Sequence, residues 1–194
     1  SCLAENIIKA PHHKVSVLAI YPTKELLKDQ FNETWQQCRK LDNFIASKGR
    51  NNRKIRIGAL FGDTKNSPKY AFKENTNSIS FDFIKCNSHD CIGTMLWLKE
   101  DQFKEQLRCS RCRRIIDKTE ISLTRNSIKK VPPDILFITT DMLNQRMGEY
   151  SFEHLFGKGS QNNIPIVLLD EIHTYEGRQG SQIAYLLRRW MKLT

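Results

Sequence analysis

Four apolar runs set the rhythm of the chain. Val15-Ser16-Val17-Leu18-Ala19-Ile20 reads as a strand broken by Tyr21-Pro22-Thr23. Ile55, Ile57, Ala59, Leu60 and Phe61 form a second strand, closed by Gly62-Asp63-Thr64. Asp134 to Thr140 is a third, ending in hydroxyls. Ile166-Val167-Leu168-Leu169 is the fourth, read as a short strand buried on both faces, with Asp170, Glu171 and then His173 at its tip. Between the first two runs the apolar period changes. Leu26, Leu27, Phe31, Thr34, Trp35, Cys38 and Leu41 recur at helical spacing and predict a helix over 24–41. Thr23 is its expected N-cap, Glu25 sits in its first turn, and Cys38 belongs to its packing stripe. Glu5 to Ala10 reads as a helix tail stopped by Pro11. Further helices are expected at Met142–Met147, with Asp141 as cap, around Phe152, Leu155 and Phe156, and over Ser181–Leu193. Strands alternating with helices predict a parallel α/β sheet.

The alternation fails between about 65 and 130, where Asn, Ser and Lys replace any sustained helical period. The expected organisation is therefore one α/β domain built from 1–64 and 131–194, interrupted by a module at 65–130. Cys86-x4-Cys91 and Cys109-x2-Cys112 lie 17 residues apart in that module. Two cysteine knuckles around a hairpin-length spacer make a four-thiolate tetrahedral set, the ligand set of structural zinc; the other reading is four free thiols. Thr94, Leu96, Trp97 and Leu98 are the β-compatible residues of the hairpin. His89 lies inside the first knuckle, but four thiols already close the shell, so the site is expected to be structural rather than catalytic. Arg108, Arg111, Arg113, Arg114 and Lys118 crowd the second knuckle, as a nucleic-acid contact or as a solvated basic face.

Composition narrows the class. The chain is 39% hydrophobic and 27% charged, with nothing approaching the ~18 apolar residues of a membrane helix and no secretory signal. It begins at Ser1 rather than Met and reads as a piece of a longer protein. A cytoplasmic setting follows, with reduced thiols available to metal. The net charge of +10 favours a polyanionic partner such as nucleic acid over a membrane.

The fourth strand carries the candidate chemistry. Parallel strands deliver functional side chains at their carboxyl ends. An Asp-Glu pair there suits nucleotide chemistry, one carboxylate holding Mg²⁺ through water and the other acting on an attacking water; the plain alternative is a strand ending in solvated acids.

Taken in order, these elements resemble the first RecA-like domain of a superfamily 2 DEAD/DEAH-box helicase. Tyr21-Pro22-Thr23-Lys24 through Gln30 looks like motif Ia, Gly62-Asp63-Thr64 like the glycine turn that follows, Asp134 to Met142 like motif Ib, and Asp170-Glu171-Ile172-His173 like motif II, the Walker B box. The continuation through Thr174-Tyr175-Glu176-Gly177 and Gly180-Ser181-Gln182 is similar to Lhr-like and related large bacterial helicases, some of them in phage-defence systems. The resemblance implies a RecA-like (P-loop NTPase type) parallel sheet with flanking helices and a zinc-ribbon-like insertion. It implies Mg-ATP as cofactor of the parent protein, a DNA rather than RNA track, and defence-system proteins as partners. Asp170 would place Mg²⁺ on the phosphates, Glu171 would act on the hydrolytic water, and His173 would couple the nucleotide to the nucleic-acid side. Pro22, Thr23, Thr139, Thr140 and Asp141 would line one strand's phosphates.

The departures are specific. No G-x-x-x-x-G-K-[ST] loop occurs, and Gly157-Lys158-Gly159-Ser160 has the wrong spacing. The expectation is a RecA-like sheet lacking its P-loop strand, inactive alone, with the P-loop segment and second RecA-like domain supplied elsewhere in the parent chain. Two other readings stand beside it: a non-catalytic zinc-stabilised nucleic-acid module, and a metal-dependent nuclease using Asp170, Glu171 and His173. The nuclease lacks a further acid or Lys cluster to complete a two-metal site.

Overall fold

The computed structural model describes residues 13–49, 53–88, 90–158, 164, 166–170 and 177–193. Along them run β1 (Val17–Tyr21), α1 (Lys24–Ser47), β2 (Ile57–Leu60), β3 (Ser78–Lys85), β4 (Thr94–Leu98), β5 (Leu107–Cys109), β6 (Ile115–Ile116), β7 (Ile121–Ser122), α2 (Arg125–Lys130), β8 (Ile135–Thr139), α3 (Thr140–Arg146), β9 (Ile166–Leu169) and α4 (Gly177–Leu193). A 3₁₀ segment, Tyr150–Phe156, lies between α3 and β9. The predicted helix tail at Glu5–Ala10 lies outside the described residues.

The mixed α/β architecture is that of a parallel sheet flanked by helices. Its five strands stand in the order β7-β2-β8-β1-β9, all parallel. β1 and β2 are buried along their whole length, as continuous apolar strands must be when both sheet faces are covered. Successive side chains go to opposite faces. Ala19, Tyr21, Ala59 and Phe137 pack with Leu27, Phe31 and Trp35 of α1. Leu18, Ile20, Leu60, Leu136 and Ile138 pack with Met142, Leu143, Phe152 and Leu186 on the other side.

Thr23 caps α1 as expected, its Oγ1 accepting the Leu26 N–H at 3.3 Å. The helix continues past Leu41 to Ser47, because Ile45 adds another half-buried position against the core, and the left-handed Gly49 (φ 71°) follows it. Cys38 is buried on this helix, and burial pushes its thiol up to about 11, as suits a packing residue. α3 starts two residues earlier than its pattern suggests, at Thr140 rather than Met142. Asp141 therefore lies in the first turn, and Thr139 takes the cap position without a side-chain cap hydrogen bond.

β9 corrects one expectation. Its apolar run reads as a strand buried on both faces, yet it is the edge of the sheet, and Leu168 is 52% exposed. Among the described residues no strand pairs its outer side.

The cysteine-bearing segment folds as an antiparallel sheet, β3-β4-β5-β6. The chain then rejoins the parallel sheet at β7, where Ile57 pairs with Ile121. Residues 121–130 thus pack with the parallel sheet although composition groups them with the interruption. A two-residue strand and a short helix hold too few positions to show a period. The two sheets share one core across α1: Phe83 meets Phe31 edge-on at 5.6 Å and Phe61 at 6.1 Å. Gln36 Nε2 donates to the Lys85 carbonyl at 3.0 Å, and the Lys85 N–H donates to Asn32 Oδ1 at 2.9 Å.

Paired charges brace the amino ends of the strands. Arg39, buried on α1, donates to Glu120 at 2.8 Å and lies 2.9 Å from Asp42, while Lys54 reaches Glu120 at 2.6 Å. Arg53 grips Asp134 with two bonds of 2.7 Å, and the Arg56 N–H donates to the same carboxylate at 2.9 Å. Buried carboxylates are stable in such settings because each oxygen finds a donor.

Candidate functional site

Parallel register brings the sequence-predicted motifs into one row. Leu60 pairs with Ile138, Tyr21 with Thr139 and Ile20 with Leu169, and the Asp170 N–H donates to the Ile20 carbonyl at 3.2 Å. Phe61-Gly62, Thr139-Thr140, Tyr21-Pro22 and Asp170 therefore follow one another across the carboxyl ends of β2, β8, β1 and β9. This is the edge at which open α/β sheets bind ligands. Thr23 and Asp141 are exposed; Pro22, Thr140 and Asp170 are half-buried; Thr139 is largely covered. Glu171 and His173 lie outside the described residues, as do Thr174, Tyr175 and Glu176.

Local bonds shape the loops of this row. Thr64 Oγ1 accepts the Phe61 N–H and donates to the Ala59 carbonyl, each at 3.0 Å, which closes the turn after β2. Lys24 Nζ lies 3.3 Å from Asp63, tying that turn to the start of α1. Tyr21, expected to break the first strand and to open the stretch that resembles motif Ia, is the last residue of β1. Burial, and then the charge of Asp170, push its phenol up to about 12, so it stays neutral beside the acid.

A cleft of about 650 Å³ opens next to the row, between α1, the end of β2 and β3. Phe61, Phe81 and Phe83 line it, and Lys28 Nζ lies 5.5 and 5.6 Å from the rings of Phe61 and Phe83. The alternation Ile79, Phe81, Phe83 is the period-two signal that marks β3 in the sequence, hidden there among polar neighbours.

The four predicted metal ligands converge at the far side of the antiparallel sheet. Cys86 and Cys91 flank the β3–β4 turn, and Cys109 and Cys112 the β5–β6 turn. All four sulfurs lie within 4.8 Å of one another, with Cys86–Cys112 and Cys91–Cys109 at 3.5 Å. Tetrahedral Zn–S bonds of about 2.3 Å set sulfurs roughly 3.8 Å apart, so these residues fit such an ion. None of the four is in a disulfide. Backbone supports the second knuckle, the Arg111 N–H donating to Cys109 Sγ at 3.4 Å. Gly93 is required here: a Cβ would fall on Cys109 Sγ and come within 3.2 Å of the Arg111 backbone nitrogen. Burial raises the Cys86 thiol to about 11, whereas hydrogen bonding with Ser88 lowers that of Cys112 to about 6. His89 lies outside the described residues.

The basic residues around the second knuckle are not equivalent. Arg108 is committed to Asp101, through Nε and through Nη2 at 3.0 Å, and braces the β4–β5 hairpin. Arg111 and Arg113 are exposed.

No family model matches the chain, and no solved structure does. Over 69 residues, 36% of this chain, it is 32% identical to an uncharacterized ATP-dependent helicase of Methanocaldococcus jannaschii. The stretch spans 10% of that protein's length. Among the described residues no helix is long and apolar enough to cross a membrane.

Proposed function

We propose that this chain contributes part of the first motor domain of a nucleic-acid-dependent ATPase of the superfamily 2 helicase type. One observation carries the reading. The segments that resemble motifs Ia, Ib and II stand side by side at the carboxyl ends of β1, β8 and β9, although they are far apart in sequence. The partial likeness to an archaeal ATP-dependent helicase supports it.

In this reading Asp170 would hold Mg²⁺ through water, and that ion would supply charge neutralisation on the nucleotide's phosphates. Glu171 orients and deprotonates the attacking water. The exposed Thr23, and Thr140 with the first turn of α3, offer hydroxyl and N–H donors to a nucleic-acid backbone, contacts that position a strand without reading its bases. The strand is DNA in this proposal. Cys86, Cys91, Cys109 and Cys112 hold structural zinc and stabilise the antiparallel sheet, which is too small to bury a core alone.

The test is made on the full-length protein. Glu171→Gln is expected to abolish DNA-stimulated ATP hydrolysis while DNA binding survives. Unchanged turnover in that variant would sink the motor reading.

A further inference from the structure

At the opposite end of the parallel sheet the strands enter from a second cleft, of about 560 Å³. The segments leading into β1, β2, β7 and β8 line it, among them Arg56, Lys118 and Lys130, with Phe103 and Glu105 from the antiparallel sheet's hairpin.

Arg56 is the anomaly. The residue is only 5% exposed. Its backbone N–H is used by Asp134, but among the described residues its guanidinium forms no hydrogen bond or ion pair, and its Nε is buried without a partner. The neighbouring arginines at these strand ends have carboxylates: the buried Arg39 has Glu120, and the half-buried Arg53 has Asp134. The acids around Arg56 are already engaged. Glu105 accepts from Thr124 Oγ1 at 2.6 Å and from Ser127 Oγ; Asp117 holds Thr119; Asp134 is saturated by Arg53 and the Arg56 N–H. Burial holds the Arg56 guanidinium below its ordinary value, with Glu105, Asp134 and Asp117 acting in the opposite direction. A buried charge without a partner is unfavourable, and an anion entering the cleft would relieve it.

The surroundings specify that ligand. Lys118 and Lys130 line the same cleft without an ion-pair partner among the described residues. Phe103 stands at its side with 77% of its surface exposed, a flat platform beside a cationic floor. We infer that this cleft binds a nucleotide unit, its phosphate on Arg56 and its base on Phe103. Cation and aromatic face together are how proteins hold nucleotide units without sequence preference. Free mononucleotide and a unit of a single strand share this chemistry. The inference does not depend on the ATPase reading, whose residues lie at the other end of the sheet.

The test compares chloride, inorganic phosphate, AMP and a labelled octathymidylate at constant ionic strength, by thermal midpoint and by direct binding. Phosphate and AMP should raise the midpoint beyond chloride. Arg56→Met should abolish that rise while leaving the ligand-free midpoint equal or higher, which a purely structural arginine would not do. Lys118→Gln with Lys130→Gln, both at the surface of the cleft, should weaken AMP about tenfold. Phe103→Ala should leave inorganic phosphate unaffected and weaken AMP by about fivefold or more. Displacement of AMP by the octathymidylate assigns the site to single strands; AMP binding without displacement assigns it to free nucleotide. No rise beyond chloride, or an equal rise in Arg56→Met, overturns the inference.

Discussion

The cysteine cluster and the carboxyl edge of the parallel sheet are both candidate sites, and they are built in opposite ways. The cluster is closed. Its four sulfurs come from two turns of one small sheet, and every one lies within 4.8 Å of the others. The carboxyl edge is open. Its members arrive from four strands spread over the chain, and Asp170 directly follows an edge strand whose Leu168 is 52% exposed. A closed shell organises structure, whereas an open row of strand ends leaves room for a substrate. Loss of a ligand should therefore be felt as lost stability in the first region and as lost chemistry in the second.

The largest effect is expected from Cys109→Ser. That sulfur is fully buried and contacts both Gly93 and the Arg111 N–H. The substitution should lower zinc from about one per chain to well under one, and cost on the order of 5 kcal/mol in unfolding experiments. The shared core at Phe31, Phe61 and Phe83 should carry the damage into the parallel sheet, so near- and far-UV signals should melt together. A wild-type protein with well under one zinc breaks the contrast at its root.

A smaller effect is expected from acid. Arg108 donates to the buried Asp101 and holds its carboxyl below the usual carboxylate range, against the opposing effect of burial. A depressed folded-state pKa stabilises above the unfolded value, near pH 4, and the contribution is lost as pH falls through the folded value. Asp101→Asn should flatten the thermal midpoint over this acid window. An unaltered acid limb would show that the hairpin brace contributes nothing.

The smallest effect belongs to the open edge. Asp170→Asn should leave stability at neutral pH close to that of the wild type, while the Tyr21 phenol falls from about 12 but stays above its ordinary value, because burial is the larger cause. The difference is read by ultraviolet titration against Tyr21→Phe. Since the folded-state value is raised, the wild type should lose stability as pH rises from about 10 toward 12, and Asp170→Asn should start to lose it at the same pH but lose less, its loss ending at a lower pH. Coincident titrations would separate Tyr21 from Asp170.

Legibility followed the same division. The ligands of the closed site could be named from spacing alone, because both knuckles and the hairpin between them are local. The four long apolar runs were equally plain. Three features were not: β7 is two residues long, β3 hides its alternating phenylalanines among Ser, Asp and Lys, and β9 looks doubly buried when it is an edge. Strand position within a sheet is a property of neighbours, and an apolar run does not say how many it has. Arg56 is the extreme case, one arginine among many in a basic chain until burial and an unpaired guanidinium set it apart.

The sequence by itself determined the strand-helix alternation, the capped first helix, the four thiols and the acids after the last strand. Each of these is set by short-range chemistry: side-chain period, a capping hydroxyl, the reach between two turns. The tertiary structure decided the rest. Only parallel register, strand against strand, sets Tyr21 beside Thr139 and Asp170 beside Ile20. Only the folding of the antiparallel sheet against the strand entrances makes a cleft lined by both a buried arginine and an exposed phenylalanine.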